Sequence, residues 1–152
     1  MARALIVGGD DRGRELGGAL MTAGWAVRAT GADGDTDASQ ATGLEIAAAD
    51  PSDLGSLIDA IEGVAVIVWL LGDARAGDAL DPNAELIGRL FEEIVDTPVR
   101  GVAYEAWGAG AGVRAHALRA ERTWHIRTAA IEREPGPDWL DAALAAVSAA
   151  LG

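Results

Sequence analysis

The chain has 152 residues, with 24 acidic side chains against 12 basic ones and a formal charge of −12. It contains no Cys, and all of its basic residues are Arg. These counts exclude disulfides, thiolate catalysis, Cys-ligated metals, Schiff-base chemistry and a P-loop lysine; so acidic a surface also argues against nucleic acid or an anionic membrane as a partner.

The length suits one domain that buries a core without staples. Half of the residues are hydrophobic, yet the aromatics are only five Trp, one Tyr and one Phe, while Gly is counted 20 times. The core must therefore be small and aliphatic. The longest apolar run, Val64 to Leu71, is too short to cross a bilayer. Met1 leads directly into a strand-like run with no charged-then-apolar leader, so a cytoplasmic protein is expected. The absence of Lys reads most simply as the codon bias of a GC-rich genome.

Short apolar runs alternate with helical patterns, the mark of βαβ units on a parallel sheet. The first strand is Ala4 to Val7, ended by Gly8-Gly9. A helix is expected from about Gly13 to Ala23, with Leu16, Leu20 and Ala23 on one face and Gly24 as its stop. Trp25 to Thr30 reads as strand two, and Gly31 to Gly43 as a polar surface loop. Leu44 to Ala48 is a short third strand. Asp50-Pro51-Ser52-Asp53 resembles a helix start, with a cap candidate and a Pro near the first turn, and Leu54, Leu57, Ile58 and Ile61 form the buried stripe. Val64 to Leu71 is apolar throughout, as a strand covered on both faces must be, which places it at the sheet centre.

Asp81-Pro82 opens a further helix with Leu86, Leu90, Phe91 and Ile94 inward. Arg100 to Tyr104 reads as strand five, and Val113 to Thr123 as the helix after it. Ile126 to Glu132 reads as strand six. A last helix carries Trp139, Leu140, Ala143, Leu144, Val147 and Leu151 on its sheet-facing side. Six strands with these crossovers predict a three-layer α/β domain over residues 1–152: a Rossmann-like, doubly wound parallel sheet of order 3-2-1-4-5-6.

In such sheets ligands sit at the carboxyl edge where the strand order reverses, here between strands one and four. The turn after strand one offers glycines spaced Gly9-x-x-x-Gly13-x-x-x-Gly17, which departs from G-x-G-x-x-G. Glycine lets a pyrophosphate approach the backbone, and a helix N-terminus supplies unpaired N–H groups to it. The same glycines equally serve a tight turn and close helix packing. Asp10, Asp11 and Glu15 oppose an anion there, whereas Arg12 and Arg14 favour one, with Arg12 as a bidentate phosphate clamp.

The segments Ala4-Leu5-Ile6-Val7-Gly8-Gly9 with Arg12-Gly13, Trp25 to Ala29, Asp50 to Leu54 and Ile61 to Gly72 resemble the atypical or extended short-chain dehydrogenase/reductases, the NmrA/epimerase-like group that binds NAD(P). The resemblance covers about residues 2 to 132. It implies NAD or NADP as cofactor, with Gly9, Asp11, Arg12, Gly13, Arg28, Leu71 and Gly72 as the binding residues. It also implies what is missing. The group uses a Tyr-x-x-x-Lys pair, which cannot exist without Lys, and the single Tyr, Tyr104, lies within strand five. The end of strand five reads Glu105-Ala106-Trp107, with no hydroxyl. The cofactor-selecting position after strand two reads Thr30-Gly31, so Arg28 favours a 2′-phosphate only if it points to the edge. The group's adenine-contacting Asp is replaced by Ala47, and its C-terminal substrate region is expected to be absent.

Other chemistry is poorly supported. His116 and His125 have no partner at metal spacing and read as structural. Glu92-Glu93 and Glu132-Arg133-Glu134 read as solvated faces. No Ser lies in G-x-S-x-G. Asp33, Asp35 and Asp37 resemble a calcium loop, but Glu45 falls one place late for the closing ligand. Trp69 and Trp107 end adjacent strands, either lining the pocket mouth or packing in the core. The resulting expectation is a minimal dinucleotide-binding module without the proton-transfer pair, acting as a sensor or interaction domain. An NAD(P)H-dependent flavin or quinone reductase that lacks the pair is one alternative. A structural homo-oligomeric subunit, joined through the last helix and the strand-six edge, is the other.

Overall fold

The computed structural model describes residues 2–8, 10–31, 44–50, 53–70, 82–106 and 111–152. Six strands form one parallel sheet: β1 (Arg3–Gly8), β2 (Ala26–Gly31), β3 (Glu45–Ala48), β4 (Val66–Leu70), β5 (Gly101–Glu105) and β6 (Arg127–Ile131). Their order is β3-β2-β1-β4-β5-β6, as the alternating pattern predicts. Five helices are described: α1 (Asp10–Thr22), α2 (Leu54–Ala60), α3 (Pro82–Ile94), α4 (Ala111–Trp124) and α5 (Trp139–Leu151).

Strand alternation divides the core in two. Leu5, Val7, Ile67, Trp69, Val102 and Tyr104 face α2, α3 and α4, which contribute Leu57, Ile87, Leu90, Phe91, Ile94, Val113 and Ala117. Ala4, Ile6, Val66, Val68, Leu70 and Ala103 face α1 and α5, which contribute Leu16, Leu20, Ala143, Val147 and Ala150. All five residues of β4 are buried, because β1 and β5 flank it and helices cover both faces. Trp69, at 1% exposure, belongs to the first of these cores. Trp107, Gly9, Leu71, Gly72 and most of the Gly31 to Gly43 loop lie outside the described residues.

Two features differ from expectation for local reasons, the start of α1 and the buried face of α5. Helix α1 begins at Asp10 rather than Gly13. Gly8 sits at φ 76°, which lets the chain turn straight from β1 into the helix. The N-cap of α2 is Asp53, the last residue of the expected start, and its carboxylate accepts from Gly55 N at 3.1 Å. Helix α5 buries Trp139, Ala143, Ala146, Val147 and Ala150, while Leu140, Leu144 and Leu151 are only partly buried. A Cβ on Gly101 would overlap the Ala150 carbonyl oxygen, so the last turn of α5 lies directly on the start of β5.

Candidate functional site at the carboxyl edge

The strand order reverses between β1 and β4, and Gly8 is in register with Leu70 at their carboxyl ends. Gly8 N donates to Thr30 Oγ1 at 3.2 Å, which ties the tip of β1 to β2. The residue at the expected cofactor-selecting position therefore holds the turn. Gly13, in the first turn and a half of α1, is buried against that turn. A Cβ there would lie 2.9 Å from the Gly8 carbonyl oxygen and 3.3 Å from Ile6 Cγ2. Gly17 leaves ordinary van der Waals clearance to Leu44, Val27 and Ile6, so it permits close packing of α1 without being required for it. Sequence spacing singled out Gly9, Gly13 and Gly17; among the described residues of this turn the left-handed glycine is Gly8.

Asp11 is exposed on the first turn of α1. Arg12 turns inward. Its Nη2 donates to Glu105 Oε1 at 2.9 Å, and its guanidinium lies 5.9 Å from the centre of the Trp139 ring. The Arg12 side chain is 20% exposed and that of Glu105 fully buried. Trp139 Nε1 donates to Glu105 Oε2 at 3.2 Å. One carboxylate at the end of β5 thus binds the starts of α1 and α5 together. Arg12 is held by this carboxylate and is not displayed to solvent as a phosphate clamp. A buried Glu with two such donors is physically reasonable, since burying a charge is tolerated when it is paired and hydrogen-bonded. The sequence signal was an acidic residue closing an apolar strand; its partners lie 93 and 34 residues away.

Arg28 is brought to the other end of the sheet. Its Nη1 donates to the carbonyl oxygens of Ala60 (2.6 Å) and Glu62 (3.0 Å), and its Nε pairs with Glu45 at 3.1 Å. These carbonyls end α2, just before β4 begins, so the guanidinium caps a helix C-terminus where its charge complements the dipole. It cannot serve a 2′-phosphate at the carboxyl edge.

Tyr104 projects to the α4 face and is 6% exposed. Burial pushes its phenol above the ordinary tyrosine range; the Arg114 guanidinium opposes this, while Glu121 and Glu132 reinforce it. Arg114 itself pairs with Glu132 at 2.8 Å across an exposed surface. His116 fits against Gly88, where a Cβ would lie 2.6 Å from its Cε1, so it is a packing residue between α3 and α4. Among the described residues no three His, Asp or Glu side chains group as metal ligands, and no helix is long and apolar enough to cross a membrane.

No family model matches the chain, and no curated protein matches it. Solved structures do. Vestitone reductase from alfalfa (Medicago sativa) superposes with a TM-score of 0.61 at 16% identity, over 86% of this chain and 56% of that one. UDP-N-acetylglucosamine 4-epimerase from Bacillus cereus gives 0.72 at 12% identity, over 99% and 75%. The Citrobacter sp. triphenylmethane reductase, complexed with NADP(H), gives 0.62 at 17% identity, over 91% and 51%. At these identities the likeness establishes the fold. The chain spans only about half of the two reductases.

Proposed function

We propose that this chain binds a nicotinamide dinucleotide, NAD or NADP, at the carboxyl edge and responds to it as a sensor or interaction module. The observation that carries the reading is the β1–α1 turn. Gly8 is left-handed, and Gly13 lies so close to Gly8 that even one methyl group would not fit. That cradle suits a pyrophosphate lying on the backbone over a helix N-terminus. Relatives in fold include a reductase crystallised with NADP(H), which supports the ligand class.

In this reading Gly9, Gly13 and the first amides of α1 receive the pyrophosphate, and Leu71 and Gly72, next after β4 in the sequence, contact the cofactor. Asp11 stands at the same helix start and opposes an anion. Arg12 acts at one remove: paired with Glu105, it fixes the start of α1 against β5 and α5. In its reduced form the bound group would carry a hydride, and this reading assigns no acceptor for it. The chain has no Lys to pair with its one Tyr, and Tyr104 faces α4 on the side of the sheet opposite α1, away from the Gly8–Gly13 cradle. Proton transfer by the usual pair is therefore not part of the reading.

The test is calorimetric titration with NAD(H) and NADP(H), alongside an absorbance assay for NADPH loss with flavin and quinone acceptors. Binding without turnover, abolished in a folded Gly13→Ala variant, is expected. No binding of any of the four forms at millimolar concentration would remove the dinucleotide, and steady NADPH consumption would replace the module with a reductase.

A further inference from the structure

The opposite, amino edge of the sheet carries a second concavity. It has room for about 400 Å³, within the usual size range of small-molecule sites. Helices α3, α4 and α5 all end beside it, and β5 and β6 start there. Its walls include Val99, Ile126 and Trp124, with Arg100, Arg127 and His125 as the groups able to carry positive charge. No Asp or Glu side chain lines it, although acidic residues outnumber Arg two to one in the chain, and Gly152 lies against the Arg127 guanidinium, where a Cβ would sit 2.8 Å from Cζ. Among the described residues, neither Arg100 nor Arg127 forms a salt bridge.

Two further observations mark this cleft. His125 adopts φ 57°, the one left-handed non-glycine residue among those described. A glycine would end α4 there without strain, and His125 adopts this conformation at a cost of about 1 kcal/mol or more. Trp124 is steadied by Arg119, whose guanidinium lies 5.3 Å from the ring centre. An aromatic wall, an aliphatic floor and two guanidinium forks are thus gathered at one opening.

We propose that this amino-edge cleft binds a small organic carboxylate with a planar apolar body. The carboxylate lies between Arg100 and Arg127, with His125 as a further donor, and the body packs on Trp124 and Val99. Guanidinium forks match a carboxylate bidentately. Three helix C-termini contribute partial negative charge, which opposes any anion and a dianion such as phosphate more than a monoanion, so the two guanidinium groups must outweigh it. The site is separate from the nucleotide edge, so its failure and that of the dinucleotide reading are distinguishable.

The experiment titrates phenylacetate into the full chain by NMR and calorimetry, with neutral phenylacetamide and inorganic phosphate as comparison probes. Phenylacetate is expected to shift the His125 and Trp124 side-chain signals and to bind at least about tenfold more tightly than the amide, as a charge-assisted contact requires. Arg100→Met and Arg127→Met should each weaken it by a similar factor. His125→Gly relieves the left-handed strain, so it should fold at least as stably and still bind more weakly. Equal affinity for acid and amide, tighter binding of phosphate, no binding at about 10 mM, or unchanged affinity in all three variants would overturn the assignment.

Discussion

Replacing Glu105 by Ala tests the tie between the two helices at the candidate site. The carboxylate is fully buried and accepts from Arg12 at 2.9 Å and Trp139 at 3.2 Å. Removing one partner of a buried ion pair costs about 3–5 kcal/mol, because the remaining charge keeps its desolvation cost. Arg12 retains 20% exposure, so water recovers part of that loss and the lower end, about 3 kcal/mol, is expected. At this chain length each kcal/mol moves Tm by roughly 2–4 °C, which gives a fall of about 6–12 °C. Calorimetric melting of Glu105→Ala, Arg12→Met and the Arg12→Met/Glu105→Leu double variant measures it. The double variant should recover about 2 kcal/mol of the summed single losses, since no buried charge is then stranded. A Glu105→Ala melt within about 2 °C of the parent, with additive single effects, would show that the buried carboxylate holds nothing together.

Asp11→Asn should move binding and folding in opposite directions. Nucleotide affinity rises a few-fold at low salt as a repulsive charge leaves the helix start, while stability falls by about 0.5 kcal/mol through loss of a favourable dipole interaction; titration and melting of one sample check both. Gly101→Ala should lose about 2–3 kcal/mol, because its Cβ meets the backbone of Ala150 and Arg127, whereas Gly18→Ala, with nothing within 4 Å, should gain about 0.5–1 kcal/mol by helix propensity; paired urea titrations separate the two. Alkaline unfolding has one tyrosine to report it, since the chain holds no Lys or Cys. The raised Tyr104 pKa means that the native state holds this proton more tightly than the unfolded chain. Its contribution is complete below the ordinary value of 10.0 and disappears as pH rises through the folded value. Absorbance at about 295 nm should titrate late in the native protein, and Tyr104→Phe should lose less stability than the parent over the same rise; an ordinary midpoint would contradict the burial.

The sequence by itself determined the class and order of the sheet. Runs such as Ala4 to Val7 and Val64 to Leu71, alternating with helical stripes such as Leu16–Leu20 and Leu90–Phe91–Ile94, leave few ways to bury both faces of a parallel sheet. It also showed that Tyr104 has no Lys in this chain to pair with, because composition alone decides that. Only the tertiary structure decided what each charged side chain does. Arg12 and Arg28 look alike as phosphate ligands in the sequence. One is held by a carboxylate 93 residues away and the other closes the end of a helix 32 residues away. Periodicity reports which face a residue occupies, since burial acts through local spacing. A guanidinium's partner is set by which distant strands and helix ends the fold brings within hydrogen-bond reach.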